Sequence, residues 1–292
     1  MINSLKELFD KQDIDENSDL RKNAEFFNRN GYCVILKSDL DVKKFTEIID
    51  LLLEKESWRG GWEGKEEYMK HGKNFQPGAH RLGNLFNKHE LFRELLINED
   101  ILKTSLAILG DDVKIGGLDM REPKKGTGQQ DLHIDWIPKK DVDKTDNVVV
   151  MIFLDDADES NGRLRVVPKT HKIKGWIDEN TKDKTKHTDE IFLDVKKSGM
   201  IFMDANLWHS GTTNNTGKRR RVLFMDIRRR NIPQLLNQRI YLDEITQKKL
   251  TDIQKYLLGV GDDDPVFDDR VFTAGNVYRK EFKTDVFVKL QD

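Results

Sequence analysis

The segment DLHIDWIP, residues 131–138, places a histidine and an aspartate two positions apart. If this segment is an extended strand, His133 and Asp135 point to the same face, because successive side chains alternate between faces. An imidazole and a carboxylate on one face can bind a metal ion together, or they can hydrogen-bond to each other. A lone His-X-Asp pattern is weak evidence for a metal site, so other parts of the chain must distinguish these alternatives.

A second histidine, His209, lies far downstream in the segment MDANLWHSGTTNNTGKRRRVLFMDIR. It follows a predicted strand and precedes a turn-rich segment, a position from which its side chain can point into the mouth of a β-sandwich. Together with His133 and Asp135 it supplies two imidazoles and one carboxylate. Three such ligands on one face of an octahedron leave the other three positions open, which is the arrangement of non-heme iron(II) oxygenases.

The basic run KRRR, residues 218–221, supplies a candidate anion-binding residue. On a strand, Arg220 shares a face with the apolar Val222, which indicates an inward-facing row. A buried arginine requires an anionic partner, and its planar guanidinium matches a carboxylate in a two-pronged pair. Arg219 and Arg221 alternate to the opposite face, and we expect them to be solvated. The run is then one functional arginine between surface neighbours, and not a nucleic-acid-binding patch.

Composition and charge limit the classes of protein to which the chain can belong. It has 292 residues, of which 37% are hydrophobic and 35% are charged, and its net charge is -2. The near balance of 50 basic and 52 acidic residues argues against a nucleic-acid-binding protein. The single cysteine, Cys33, excludes an internal disulfide and a thiolate zinc cluster. We see no secretory signal and no membrane-spanning apolar run, so we expect a cytoplasmic protein without membrane contact.

Helices and strands are predicted in different parts of the chain. Apolar residues at helical spacing, together with capping residues, predict helices at 19–30, 40–55, 89–97, 99–109 and 243–258. From residue 113 onward, short β-type runs are separated by turn residues, which is typical of an antiparallel sandwich or a double-sheet jelly roll. We expect a single domain over 1–292, with a helical part at 1–112, a jelly-roll core at about 113–230 and a C-terminal extension at 231–292.

Three segments of the chain resemble the phytanoyl-CoA dioxygenase-like family of iron(II)- and 2-oxoglutarate-dependent oxygenases. His-Ile-Asp at 133–135 matches the His-X-Asp motif of that family, and NGRLRVVPKTHK at 161–172 looks like its hairpin. HSGTTNNTGKRR at 209–220 matches the distal histidine followed by the 2-oxoglutarate arginine. The likeness extends from roughly GYCVIL to VLFMDIR. One departure is that the family often has a serine two residues after the distal histidine, where this chain has Gly211 with Ser210 beside it.

The resemblance implies a fold, a cofactor set and a reaction. The fold is mainly β with outer helices, around a double-stranded β-helix (jelly-roll, cupin-like) core. The two histidines and Asp135 would bind iron(II), and Arg220 would bind the distal carboxylate of 2-oxoglutarate, with Ser210 and Gln130 as further candidates for contact with this cosubstrate. Dioxygen would be consumed, and a small-molecule metabolite would be hydroxylated with release of succinate and carbon dioxide.

The candidates for substrate contact are His80, Arg81 and Met151. The first two lie in residues 57–87, a segment rich in glycine, tryptophan and charge that has little periodicity and is therefore predicted to be a long binding loop or lid. Met151 lies on the strand VVVMIFL, where core packing is the commoner role. The arginines, lysines and tryptophans of the predicted loop favour a polar or anionic substrate.

Two other functions fit parts of this pattern. A zinc-dependent hydrolase can use the same two histidines and one aspartate, with a bound water molecule as the nucleophile. Arg220 argues against it, because such a hydrolase has no need of a buried arginine at that position. A non-catalytic jelly-roll binding module would be favoured by the loss of a metal ligand, and none of the three is lost here.

Overall fold

The protein is described by a computed structural model over residues 19–56, 79–110, 112–234 and 236–261. The helices, numbered in chain order, are α1 Asp19–Asn30, α2 Val42–Glu56, α3 Glu90–Glu94, α4 Glu99–Leu109, α5 Ile177–Asn180, α6 Gln238–Tyr241, α7 Glu244–Lys249 and α8 Asp252–Leu257. The strands are β1 Tyr32–Ile35, β2 Ala79–Leu82, β3 Val113–Pro123, β4 Asn147–Phe153, β5 Leu164–Val167, β6 Ile191–Leu193, β7 Met200–Asp204, β8 Trp208–Gly211 and β9 Val222–Arg229.

These strands form two antiparallel sheets. The larger sheet has six strands in the order β1-β7-β4-β9-β3-β2, and the smaller has three in the order β6-β5-β8. Short strands that alternate between two facing antiparallel sheets give the mainly β, double-stranded β-helix core that the sequence predicts. The predicted fold class is therefore confirmed.

Alternate side chains of β4 pack in two different hydrophobic clusters. Val150 and Ile152 belong to the outer cluster, which lies between the larger sheet and the helices. Met151 and Phe153 belong to the inner cluster, which lies between the two sheets. Because both faces of β4 are covered, the strand is a nearly continuous apolar run in the sequence instead of an alternating one.

The outer cluster is completed by the helices of the first half of the chain. On α2 the predicted apolar stripe is confirmed, since Phe45, Ile49 and Leu52 are buried in this cluster. Helix α1 ends at Asn30 as predicted and is followed by Gly31, whose backbone φ of 85° favours glycine. A Cβ atom at this glycine would lie 2.6 Å from Nδ1 of His171, so close packing also requires the small residue.

Two predicted helices are divided in the structure, and capping residues explain why. Residues 89–97 form α3 followed directly by a 3-10 turn at Leu95–Ile97, and Asn98 then caps α4 by accepting a hydrogen bond from the Ile101 amide. Residues 243–258 form α7 and α8, because Thr251 caps α8 in the same way. The single helices predicted for these two segments were therefore wrong.

The predicted long loop at 57–87 is also corrected. Residues 57–78 lie outside the described residues, as does most of the acidic turn GDDDP. Residues 79–82 form β2, which pairs with β3 at the edge of the larger sheet, and 85–87 form a 3-10 turn. The lack of periodicity in this segment predicted a loop, but its last part forms a strand that pairs with the larger sheet. None of the described helices combines the length and the apolar character needed to cross a membrane.

Candidate active site

Backbone hydrogen bonds bring the two predicted histidine ligands together. The amide of His133 donates to the carbonyl of His209 at 3.0 Å, and the amide of His209 donates back to the carbonyl of His133 at 3.1 Å. His209 lies within β8, so the segment that carries His133 runs antiparallel beside the smaller sheet. The two rings consequently lie close to each other, with centroids 4.4 Å apart.

Asp135 completes the group from a bent segment. The sequence predicted an extended strand here, but the structure has only an isolated bridge at His133, and the chain bends at Asp135. A hydrogen bond from the Asp135 amide to the Ala205 carbonyl, 2.7 Å long, positions the bend. The carboxylate nevertheless reaches both rings, with Oδ1 3.7 Å from Nε2 of His133 and Oδ2 3.4 Å from Nε2 of His209.

The histidine hydrogen bonds determine which ring nitrogen can bind a metal. Nδ1 of His133 lies 2.8 Å from the carbonyl oxygen of Asp131, and Nδ1 of His209 lies 2.9 Å from that of Leu207. A carbonyl oxygen only accepts, so each Nδ1 carries a proton and each Nε2 is the nitrogen left to bind a metal ion. Together with Asp135, the ligand atoms of these histidines lie within 4.8 Å of one another. The residues therefore fit a metal ion held by two imidazoles and a carboxylate.

The electrostatics of His133 and Asp135 also suit a metal ion. Burial and the neighbouring His209 lower the pKa of His133 to about 4, despite the opposing charge of Asp135. Burial alone would raise the pKa of Asp135, but the charge and hydrogen bond of His209 bring it down to about 2. At neutral pH His133 is thus neutral and Asp135 is ionised, which are the protonation states that metal binding needs. Burial alone would lower the pKa of His209, but the charge and hydrogen bond of Asp135 raise it, so a metal ion at this imidazole would displace a proton. The Asp135 side chain is 35% exposed, so the site opens to one side.

Arg220 is buried, as the sequence predicts. It lies just before β9 and is only 1% exposed. The residue on each side of it makes ion pairs that hold this segment in place. Arg219 is exposed, as expected, whereas Arg221 is buried, which corrects the expectation that both are solvated. Arg219 binds Glu122 at 2.6 Å and Asp50 at 2.7 Å.

Arg221 is the more buried of these two flanking arginines. Its guanidinium binds Asp155 at 2.7 Å and shares Asp50 of α2 with Arg219, at 2.9 Å. Sequence alternation predicted the direction of these side chains but not their partners. The carboxylates come from distant parts of the chain. Their negative charges neutralise the flanking arginines, so the basic run does not require a nucleic-acid ligand.

A second buried arginine, Arg121, was not predicted from the sequence. It lies on β3 directly opposite Val222 of β9, whose side chain is in the inner cluster, so Arg121 also points between the sheets. Its Nη2 donates to the carbonyl of Gly128 at 3.1 Å. The sequence signal that could have predicted its direction is the alternation of apolar and polar residues in GLDMRE. Leu118 and Met120 lie in the outer cluster, so Arg121, the next residue along the strand, points to the opposite face.

The structure separates the two minor cosubstrate candidates. Ser210 lies on the opposite face of β8 from His209, and its hydroxyl accepts a hydrogen bond from Nε of Arg165 at 2.6 Å. The structure thus does not bring Ser210 to the face that carries the metal ligands. Gln130 does approach this face, since its Oε1 accepts from the Gly211 amide at 3.4 Å.

The substrate candidates also lie in different places. His80 and Arg81 are neighbours on β2 and therefore point to opposite faces. His80 faces outward beside Glu122, 3.9 Å away, so it does not point toward the metal ligands. Arg81 lies opposite Arg121, on the inner face. Met151 is buried in the inner cluster, where it packs as part of the core.

Comparison with known families identifies the chain. The family model of phytanoyl-CoA dioxygenase (PhyH) matches residues 27–222, well over half of the sequence. The chain therefore belongs to this family, and the resemblance noted in the sequence is confirmed. No curated protein matches the sequence.

Solved structures share the fold at low sequence identity. The epimerase SnoN, in complex with Fe3+, alpha ketoglutarate and nogalamycin RO, is 17% identical with a TM-score of 0.55, over 72% of this chain and 83% of SnoN. The carbocyclase SnoK from nogalamycin biosynthesis is 16% identical with a TM-score of 0.54, over 71% and 83%. HygX from Streptomyces hygroscopicus, with nickel, 2-oxoglutarate and hygromycin B bound, is 14% identical with a TM-score of 0.56, over 73% and 89%.

The fold, the family and the grouped ligands together define the class of protein. It is an iron- and 2-oxoglutarate-dependent enzyme of the oxygenase type. Iron, 2-oxoglutarate and dioxygen are the cofactor and cosubstrates of this class, as the sequence predicts.

Proposed function

We propose that the protein hydroxylates a small-molecule metabolite, using iron(II) held by His133, Asp135 and His209 and 2-oxoglutarate held by Arg220. The observation that carries this proposal is the grouping of three ligand atoms, from two histidines and one aspartate, within 4.8 Å of one another. Two imidazoles and one carboxylate select iron(II) in enzymes of this fold and leave coordination positions open.

Each of these residues has a defined task in the proposed reaction. The Asp131 and Leu207 carbonyls hold the two imidazoles in the tautomer that presents Nε2 to the metal. Asp135 contributes negative charge, and Arg220 pairs with the distal carboxylate of 2-oxoglutarate. When bound, iron and 2-oxoglutarate together activate dioxygen for oxidation of a C–H bond, while 2-oxoglutarate is converted to succinate and carbon dioxide.

We also propose that the substrate is polar or anionic. Arg81 supports this, because it lies on the inner face of β2. Burial raises the pKa of Asp135, and the positive charge of Arg81 acts with the two histidines to lower it. A substrate that approaches the metal from the exposed side of Asp135 would meet this positive charge. His80 faces outward and Met151 packs in the core, so the structure supports neither as a substrate contact.

The proposal is tested by measuring succinate release across a metabolite library with iron(II), 2-oxoglutarate and ascorbate. We expect a subset of polar or anionic compounds to stimulate succinate release and to gain one oxygen atom by mass spectrometry. Mass spectrometry also distinguishes the reactions named for SnoN and SnoK, because epimerisation leaves the mass unchanged and ring closure removes two hydrogen atoms.

A zinc-loaded sample without 2-oxoglutarate is the control for hydrolysis. Substrate cleavage in that sample, with no succinate release in the iron sample, would contradict the proposal. Succinate release that depends on iron(II) but gives only unchanged or dehydrogenated products would keep the enzyme class and overturn hydroxylation.

A further inference from the structure

Asp135 lies in a bend outside the strands of the two sheets, so other contacts must hold its carboxylate in place. Its amide donates a hydrogen bond to the carbonyl of Ala205 at 2.7 Å. Ala205 begins the turn at 205–207, which joins β7 to β8, and β8 carries His209. The position of the aspartate relative to this histidine therefore depends on how the segment 135–139 is attached to the turn.

Asp204, the last residue of β7, binds both the turn and the segment that carries the aspartate ligand. It is fully buried, and its Oδ1 accepts a hydrogen bond from the Asn206 amide at 2.9 Å. Its Oδ2 accepts from the Lys139 ammonium at 2.8 Å and from the Thr145 hydroxyl at 2.9 Å. One carboxylate oxygen thus shapes the turn, while the other attaches the turn to the chain beyond Asp135.

Asn206 attaches the middle of the segment 135–139 to the same turn. Its Nδ2 donates to the carbonyl of Ile137 at 2.9 Å. Contacts with the turn and with Asp204 before it thus recur at Asp135, Ile137 and Lys139, which are alternate residues of one segment. Those at Asp135 and Ile137 use backbone atoms, whereas that at Lys139 uses a side chain, so a substitution can remove the last contact alone.

Stability alone does not account for the ion pair between Lys139 and Asp204. The two side chains are 2% and 1% exposed, so both charges have been taken out of water. The attraction between such charges offsets the cost of their desolvation only when the geometry is good, and an apolar pair in their place is often as stable or more stable. What the pair does provide is a directional, charge-assisted bond that fixes the segment in one register against the turn.

We propose that Lys139 is a positioning residue for the metal site. Through Asp204 it holds the segment 135–139 in the register at which the Asp135 carboxylate meets the two imidazoles. This inference rests on the proposed function. Charge and position have opposite effects on metal affinity here, because removal of a nearby positive charge by itself would tighten the binding of a metal cation. Weaker binding after loss of the ammonium therefore reports position.

The test is anaerobic calorimetry of iron(II) binding to two variants. Lys139→Met removes the charge and keeps nearly the length of the side chain. Lys139→Met/Asp204→Asn removes both charges and keeps an oxygen that can accept from the Asn206 amide. We expect iron(II) to bind about tenfold more weakly to both variants. The double variant should unfold at a higher temperature than the single one, because it has no unpaired buried carboxylate.

Arg221→Met is the matched control, since it removes another buried ion pair, with Asp155, on the side of helix α2. It should lower the unfolding temperature and leave the iron(II) affinity unchanged. Binding to the double variant that is as tight as in the unmodified protein, or tighter binding to Lys139→Met, would overturn the proposal. A loss of affinity in Arg221→Met as large as in Lys139→Met would overturn it as well, because any destabilised variant would then bind weakly.

A second measurement asks whether the effect of Lys139 passes through Asp135. Nickel(II) suits this test, because it binds nitrogen ligands more tightly than iron(II) does and the two histidines remain in Asp135→Ala. Lys139→Met should weaken nickel(II) binding to the otherwise unmodified protein but cause no further loss in the Asp135→Ala background. Equal losses in both backgrounds would show that Lys139 does not act by placing the aspartate, and would contradict the proposal.

Two results separate this inference from the proposed function. If the unmodified protein binds iron(II) and the folded double variant binds it equally well, Lys139 is not a positioning residue and the proposed function stands. If the unmodified protein does not bind iron(II), the proposed function is wrong and this inference is wrong with it. Thermal unfolding of each variant shows that it is folded at the temperature of the measurement.

Discussion

The two faces of the larger sheet differ in chemical character along strands β3 and β9. On β3, Leu118 and Met120 point into the outer cluster against the helices, whereas Arg121 points between the sheets. On β9 the outward residues are apolar as well, but the inner face includes Asp226 and Arg228, a buried ion pair. The same strands therefore provide a hydrophobic core on one face and charged groups on the other.

This difference shows how the fold supports the site. The outer face is mainly apolar where it packs against the helices, and burial of such side chains is the main stabilising contribution in folding. The inner face carries charges whose burial is unfavourable unless partners or ligands compensate it. Substitutions of apolar residues on the outer face should therefore reduce the free energy of unfolding without changing ligand binding at the site. Substitutions of charged residues on the inner face should change ligand binding with little effect on the free energy of unfolding.

The largest effect on stability is expected at Phe202, a fully buried residue of the outer cluster on β7. Phe202→Ala should lower the free energy of unfolding by about 3–5 kcal/mol, because it removes a large apolar side chain and leaves a cavity. Urea unfolding measures this loss, and Phe192→Ala, at a residue that is 43% exposed, is the matched control. Below its unfolding transition, Phe202→Ala should bind 2-oxoglutarate normally; weakened binding there would show that the two faces are coupled.

The next effect in size is expected at Arg220 on the opposite face. Arg220→Ala should weaken 2-oxoglutarate binding about hundredfold, because a charge-assisted pair in a buried site is lost. Arg219→Ala is the control, since that side chain binds Glu122 and Asp50 on the other face and should change this affinity little. Equal losses at both positions, measured by calorimetry, would show that the basic run acts as a general positive patch.

A smaller, pH-dependent effect is expected at Arg221. Burial alone would raise the pKa of Asp155, but the hydrogen bonds and charge of Arg221 lower it. A carboxyl group with a lowered pKa in the folded state stabilises the protein above its unfolded pKa, near 4, and this contribution is lost as the pH falls through the folded value. Arg221→Ala should therefore cost about 1–3 kcal/mol at neutral pH, with the difference shrinking in acid. Urea unfolding at several pH values would contradict this if the difference stayed constant.

The smallest effect is expected from halide ions. In the proposed site Asp135 supplies a carboxylate ligand, so no small residue leaves a metal position there for chloride. Once a substrate is known, saturating chloride or bromide should leave the mass of the product unchanged. A halogenated product from the unmodified protein would contradict Asp135 as a ligand.

The sequence predicts the parts of this site that depend on local patterns. The His-X-Asp pattern, the distal histidine and the inward direction of Arg220 all follow from short segments, and the structure brings the two histidines and the aspartate together. The position of Arg121 between the sheets could not be predicted, because it depends on the register of β3 with β9 and on the approach of the side chain to Gly211 of a different sheet. The ion pairs of Arg221 were missed for the same reason, since Asp50 and Asp155 lie far from it in the chain.

Anaerobic iron(II) titration tests the central claim most directly, because it measures the proposed ligands without any substrate. We predict one equivalent of iron(II) in the unmodified protein and the loss of this binding in His133→Ala, Asp135→Ala and His209→Ala. His80→Ala should keep the full equivalent, because its imidazole faces outward beside Glu122. Unchanged iron stoichiometry and affinity in folded His209→Ala would contradict the metal site on which the proposed function rests.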